Sequence, residues 1–251
     1  MLDAHYKIVT VAERPDIEEQ IHELTSASWP AFMYENEIAN ENFKYLFLDF
    51  PEYQFALLDT RDDKVVAQGN SISFHWDKPI EQLPDEGWEW VLLKGIEDHR
   101  AGRAPNMQSA IQICVDRSLK GSGISREMVM AMREIGRKHA IADLVAPVRP
   151  NQKANYPLIS MADYIKWTTD DGFPFDAWMR VHARLGARII SVCHQAFWVK
   201  NTIAAWEKWT GLRFKQSGEY TVAGALNPIS VNIEKDLAVY CEPNVWMHHR
   251  I

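Results

Sequence analysis

Between Ile111 and Lys138 the hydrophobic period of the chain changes once, across a loop bracketed by two glycines, and that switch narrows the folds open to it. Ile111, Ile113 and Val115 alternate with Gln112 and Cys114, the period of two that marks a strand. From Ile124 onward Met128, Met132 and Ile135 return at helical spacing, with Arg126, Glu127, Arg133 and Glu134 on the opposite side. Gly121 and Gly123 flank Ser122, which lets the backbone turn tightly and lie close to a ligand. A strand, a glycine loop and a helix start place free N–H groups and the positive end of a helix dipole together. Such a place attracts anions, phosphate above all.

Spacing tests which phosphate loop this is. A P-loop requires Lys followed by Ser or Thr after its last glycine, but Ile124 and Ser125 follow Gly123. A dinucleotide loop requires a small residue where Arg126 stands. Both readings fail. The run Ser118-Leu119-Lys120-Gly121-Ser122-Gly123 resembles instead the pyrophosphate loop of the GNAT superfamily of acyl-CoA-dependent N-acyltransferases. That loop reads Gln/Arg-x-x-Gly-x-Gly/Ala between the fourth strand and the third helix. The two glycines match; Ser118 replaces the usual Gln or Arg, leaving Arg117 or Lys120 to supply the charge.

At 251 residues the chain is long enough for one large domain or two small ones, and an apolar share of 47% suits a packed globule. A net charge of −7 argues against nucleic-acid binding, which needs a basic stripe, and is compatible with cationic partners. Ten Trp suggest large aromatic packing layers or a groove. Cys114, Cys193 and Cys241 are odd in number and form no CxxC pair, so a cytoplasmic, reduced setting is expected. The first residues lack the basic start and apolar stretch of a secretory leader, and no apolar run reaches membrane-spanning length, so no membrane partner is expected.

In chain order, Tyr6 to Val11 reads as a strand and Asp16 to Leu24 as an amphipathic helix with Pro15 at its start. Ile38 to Phe50 reads as a second helix, and Tyr53 to Leu58 with Lys64 to Trp76 as a β-hairpin. Trp88 to Ile96 is helical, Ala142 to Val148 a strand, and Asp176 to Leu185 a helix capped by Asp176 and stopped by Gly186. Arg188 to Cys193, Tyr220 to Leu226 and Leu237 to Tyr240 are further strands, with a short helix over Thr202 to Trp209. No internal repeat or flexible linker divides the chain, so one domain is expected.

The resemblance continues past the loop. Family members carry Ala-x-x-x-Tyr-x-x-x-Gly-Phe after the fifth strand. Trp178 to Ala187 occupies that place, with Gly186 matching, His182 in the Tyr position and Ala187 in place of the aromatic. The resemblance implies an α/β (α+β) fold with a mixed, mostly antiparallel sheet flanked by helices on both faces. It divides the single domain into an acceptor-side half (1–105), an acyl-CoA-binding core (106–192) and a C-terminal extension (193–251). It implies acetyl-CoA or another acyl-CoA as co-substrate. Ile113, Cys114, Val115, Lys120, Gly121, Ser122, Gly123, Ile124, Ser125 and Asn151 would contact it, and His182 would serve as the catalytic acid. An imidazole suits proton transfer because its ordinary pKa lies near neutrality. The acceptor would be a small-molecule amine or a peptide, with Tyr164, Trp167, Asp170 and Asp171 as candidate lining and Glu89, Glu97 and Asp98 as candidate bases. A homodimer is compatible with the family. His194, His248 and His249 lack the spacing of a metal site, so no metal is expected. The rival is a non-catalytic acyl-CoA-binding or partner-binding module on the same fold. A third reading is an unrelated nucleotide-phosphate binder.

Overall fold

A computed structural model describes residues 4–26, 28–119 and 121–251. The chain opens with β1 (Tyr6–Thr10), α1 (Glu18–Ser26), α2 (Glu37–Asn42) and α3 (Lys44–Asp49). The hairpin β2 (Gln54–Asp59) and β3 (Lys64–Phe74) follows, then α4 (Gly87–Arg100). The unit read first from the sequence is β4 (Met107–Val115) and α5 (Ile124–Lys138), continued by β5 (Asp143–Val148). After it come α6 (Met161–Tyr164), α7 (Ala177–Arg184), β6 (Arg188–Asn201) and α8 (Ile203–Thr210). β7 (Gly218–Tyr220), β8 (Ile229–Asn232) and β9 (Leu237–Arg250) end the chain.

Among the described residues these strands form one sheet in the order β1-β2-β3-β4-β5-β9-β8-β7, with β6 also paired to β9. Only β4 and β5 run parallel. Alternation along β3 and β4 decides which helix covers which face. A Cβ on Gly95 of α4 would meet Ile72, and Thr25 of α1 accepts hydrogen bonds from Gln68 and Gln112, so α1 and α4 share one face. A Cβ on Gly136 of α5 would meet Gln108, whose side chain points to the other face, where α7 also packs. The mixed, mostly antiparallel sheet with helices on both faces is therefore as the sequence led one to expect.

Three departures have physical reasons. The helix expected over Ile38 to Phe50 is broken at Phe43 into α2 and α3, and Asn36 caps α2 by accepting the Ala39 amide. Tyr220 to Leu226 holds only the end of β7, because Gly224 takes a φ of +86° and turns the chain toward Pro30. The last strand, read as Leu237 to Tyr240, runs on to Arg250 through Pro243. It is the strand that pairs β5 along Asp143 to Val148, so the segment expected as an extension completes the centre of the sheet.

Candidate active site

Two features of the backbone make the site. First, β4 and β5 pair only at Gln108 with Leu144 and Ser109 with Val145; beyond that point they part, leaving a wedge that opens toward Val115 and Val148. Second, the register of β4 against β3 skips Ile111: Asn70 faces Gln112 while Ser71 faces Ala110. The extra residue is a β-bulge, which twists a strand and re-aims its backbone. The Trp88 indole donates to the Ile111 carbonyl at 2.8 Å and holds the bulge from the α4 face.

The parting explains a residue that the sequence pattern alone disfavours. Pro147 lies within β5 where β4 no longer runs beside it, an edge-like position that tolerates a missing N–H. The bulge and the parting also set the direction of the free backbone groups. The Asp116 amide donates to Val66 of β3 at 2.9 Å. Strand alternation then turns the peptide groups of Val115 and Ile113 away from β3 and into the wedge. Cys114 is corrected by the same alternation: its backbone faces β3 and its side chain is buried on the α1 face. Burial pushes its thiol pKa up, which fits a packed side chain and not a nucleophile.

At the wedge mouth the loop leads into α5. Gly121 and Gly123 take φ of +83° and +86°, and a Cβ on either would meet nothing within 4 Å. Glycine is required there for the left-handed backbone, and the open space leaves room for a ligand. No side chain caps α5; the Arg126 and Glu127 amides donate to the Gly123 carbonyl, which leaves those of Ile124 and Ser125 as the first-turn amides without a helical acceptor. Gly121, Ser122, Gly123, Ile124 and Ser125 thus stand together as the sequence placed them. The Ser118 amide and hydroxyl both donate to Asp116 Oδ1, and the Ser122 hydroxyl donates to the Leu119 carbonyl at 2.6 Å. Lys120 lies outside the described residues. Asn151 is exposed just past β5, at the other lip of the wedge.

The other face of the wedge is roofed. Trp29, in the connection after α1, contacts the Cys114 thiol at the end of β4 and lies 5.8 Å above the Arg149 guanidinium at the end of β5. Arg149 donates through Nε to both oxygens of Glu242, at 3.0 and 2.9 Å, and through Nη2 to the Gly224 carbonyl. Glu242 also accepts from the Tyr240 hydroxyl at 2.7 Å. Nearby, Lys153 is wholly buried and donates to the carbonyls of Tyr156 and Leu226; burial without a carboxylate partner lowers its pKa to about 8. The sequence reading missed Trp29, Arg149, Lys153 and Glu242. They lie far apart in the chain, and only the pairing of β9 with β5 brings them together.

His182 occupies the inner face of α7 but does not stand as an exposed acid. It is 2% exposed, and its Nδ1 shares a 2.8 Å hydrogen bond with Nε2 of His249 on β9. Burial, with His249 alongside, lowers the His182 pKa to about 3, and burial with Arg133 and His248 nearby lowers that of His249 to about 4. Neither ring is an imidazolium at neutral pH, which corrects the expectation of an acid of that kind. Of the candidate bases, Asp98 is committed to Lys94, Arg103 and the His75 amide. Glu89 is half-buried beside a cavity of about 240 Å³ lined by Glu35, Asn36, Glu37 and Lys200, and burial raises its pKa. Tyr164 gives its hydroxyl to Asp176 and packs against Trp167, so the lining proposed there is an aromatic stack. Asp170 and Asp171 are exposed. Among the described residues no cluster of three or more His, Cys, Asp or Glu could hold a metal, and no helix is long and apolar enough to cross a membrane.

Similarity to known proteins runs over nearly the full length of the chain. No family model matches the chain. It is 29% identical over 277 residues to the arginine N-acetyltransferase avaD of Aspergillus versicolor, covering 98% of this chain and 94% of that one. Among solved structures, the loading GNATL domain of CurA from Lyngbya majuscula superposes with a TM-score of 0.65 at 16% identity, covering 98% of this chain and 97% of the domain. The GNAT-like decarboxylase GphF, in complex with isobutyryl-CoA, superposes with a TM-score of 0.57 at 13% identity, covering 97% and 98%.

Proposed function

We propose that the chain is an acyl-CoA-dependent N-acyltransferase of the GNAT kind, and that it moves an acetyl group from acetyl-CoA to a small cationic amine of the arginine type. Similarity to an acetyltransferase along nearly its whole length disfavours a non-catalytic module. The observation that carries the reading is the wedge between β4 and β5 opening directly onto an uncapped helix start. Only a ligand with a diphosphate at one end and amide groups along a thin arm uses both parts at once.

In that arrangement the amides of Gly121, Gly123, Ile124 and Ser125 hold the diphosphate, while the Ser122 amide donates to the Leu119 carbonyl. The peptide groups of Ile113 and Val115 pair with the amides of the pantetheine arm, as a peptide adds to a sheet edge. Asn151 meets the arm from the opposite lip. The thioester then lies near the bulge at Ile111, where a free backbone amide polarises its oxygen. The acceptor enters on the Trp29 side, its amine attacks the thioester carbon, and CoA leaves as the thiol. Holding both reactants in one cleft supplies much of the acceleration. The overall negative charge favours a cationic acceptor, and the similarity to an arginine acetyltransferase narrows the choice.

Calorimetry with acetyl-CoA and a thiol-release assay against arginine, lysine, polyamines and aromatic amines test this. Binding of acetyl-CoA with release of thiol on arginine is the expected result. No binding at high micromolar acetyl-CoA overturns the cofactor assignment, and thiol release on aromatic amines alone overturns the acceptor class.

A further inference from the structure

Ten tryptophans point to aromatic layers or a groove, and the fold sorts them. Among the described residues eight pack into one of three hydrophobic clusters, and Trp29 and Trp198 belong to none. Trp198 lies on β6, with the Lys200 ammonium 4.7 Å from its ring. Trp29 borders the wedge instead: it touches the Cys114 thiol at the end of β4 and Arg149 at the end of β5. A large ring left outside the core gains little from burial, so its place needs another reason.

Trp29 is nonetheless held from several sides. Its amide donates to the Tyr34 hydroxyl at 3.1 Å, and that hydroxyl donates to the Thr25 carbonyl at 2.9 Å, near the end of α1. Its neighbour Pro30 lies against Gly224, where an added Cβ would come within 2.7 Å of the proline ring. Arg149 donates to the Gly224 carbonyl and so ties down the same loop. The Arg149 guanidinium also lies over the indole at 5.8 Å, within the reach of a cation–π contact. That side chain is only 17% exposed, so the face beneath it is covered, and the open surface of the half-buried indole is on its other side. The result is a rigid aromatic surface, half open, on the side where the acceptor enters. A ring ordered in advance loses little entropy when a ligand settles on it.

We propose that Trp29 selects the acceptor: the open side of its indole receives the acceptor's guanidinium as a second cation–π partner, across the ring from Arg149. The inference rests on the acyltransferase reading above. Charge permits the stack, because Arg149 is neutralised by Glu242, whose two oxygens it meets at 3.0 and 2.9 Å. A second cation therefore does not face a bare one. Length also fits. Cys114 stands three residues past Ile111, where the thioester is placed, which is about 10 Å along the strand. A cation over Trp29 is then separated from the reacting nitrogen by an extended chain of several atoms. In arginine the reacting nitrogen is the α-amine, because the guanidinium keeps its protons and does not attack. A planar guanidinium stacks on an indole better than the compact, strongly hydrated ammonium of lysine, so arginine ranks ahead of lysine.

The test compares arginine with citrulline, which has the same shape and an uncharged head, in thiol-release assays on wild type, Trp29→Phe and Trp29→Leu. Wild type is expected to prefer arginine about tenfold or more in kcat/KM. Trp29→Leu, apolar but without a π face, is expected to raise KM for arginine about tenfold with kcat changed less than about threefold. Its KM for citrulline changes less than about threefold, so the preference collapses. Trp29→Phe, with a smaller π face, falls between the two. Calorimetry is expected to show acetyl-CoA binding within about threefold of wild type in both variants, and thermal melts identify any loss by unfolding; Trp29→Met replaces Trp29→Leu if the latter does not fold. An unchanged arginine KM in the folded variant, equal losses on arginine and citrulline, no preference in wild type, or acetyl-CoA binding weakened about tenfold each overturns the proposal and leaves the acyltransferase reading standing. Absence of thiol release from wild type with any amine overturns that reading, and this inference with it.

Discussion

Strand β9 carries two buried polar groups that differ in one respect. On the Trp29 face, Glu242 is met by Arg149, Tyr240 and Asn244, and the Tyr240 hydroxyl also accepts the Leu226 amide. On the α7 face, His249 is met by His182 alone, and both rings keep an unmet nitrogen. The first group is closed: none of its buried side-chain polar atoms lacks a partner, and it holds the loop around Gly224 against the end of β5. The second is incomplete and lies level with the last residues that β4 and β5 share, where His249 pairs with Leu144 and Leu144 with Gln108. Saturation marks the part that holds the fold.

The largest effect expected is from opening the closed group. Glu242→Ala strands the Arg149 guanidinium, a charge with 17% side-chain exposure, with no carboxylate. Breaking a buried pair on one side costs about 3–5 kcal/mol, which urea unfolding at pH 7 would show. A loss below about 1 kcal/mol would mean that water already reaches Arg149, and the contrast between the two groups would weaken.

The incomplete group gives a smaller, pH-dependent signature. The folded pKa values of His182 and His249, about 3 and about 4, lie below the ordinary histidine value near 6.5. An unfolded chain thus binds protons that the folded one refuses, and stability is full above about pH 6.5 and falls as the pH drops. Between pH 7 and pH 5 the loss is roughly 2 kcal/mol per histidine. The acids with lowered pKa values, such as Asp59 at about 2, act at lower pH and leave this window clear. Unfolding curves for wild type and for His182→Leu/His249→Leu at the two pH values check it: the double variant should lose most of the dependence.

How much of this was legible beforehand follows from the range of the interactions. The strand, loop and helix from Ile111 to Lys138 are local, set by alternation, by two glycines and by helical spacing, so their residues stand where the sequence put them. The direction of the Cys114 backbone was not legible, because it depends on the bulge at Ile111 and on pairing with β3. The partner of His182 was hidden for a like reason. His249 lies 67 residues away on a strand that was read as ending at Tyr240, and with His248 it was weighed only as a metal ligand. A sequence shows where a backbone turns more readily than which buried side chains meet.

The loop itself gives a smaller stability change with a sharper functional one. Gly123→Ala keeps space for its methyl group in the free protein but must hold a φ of +86°, at about 1 kcal/mol. The same methyl group would stand where a diphosphate needs the backbone bare, so acetyl-CoA affinity should fall about tenfold or more, a loss near 1.4 kcal/mol. Calorimetry beside a thermal melt separates the two. Equal losses in both would make the glycine a turn residue only.

The smallest change expected is at Glu89, which lies between the two extremes. Its Oε1 accepts from Asn36 at 2.6 Å and from the Trp198 amide at 2.7 Å, closing a backbone group at the free edge of β6. Burial raises its pKa, so the ionised form is the disfavoured one in the fold. Glu89→Gln keeps an acceptor oxygen for both donors and removes the charge, and stability should change by less than about 1 kcal/mol at pH 7. If Glu89 instead takes the acceptor's proton, the variant would fold normally while turnover drops about a hundredfold. Unchanged turnover would assign Glu89 to the closed kind of group, a carboxylate whose hydrogen bonds finish the edge of a sheet, and would leave proton removal from the acceptor to solvent.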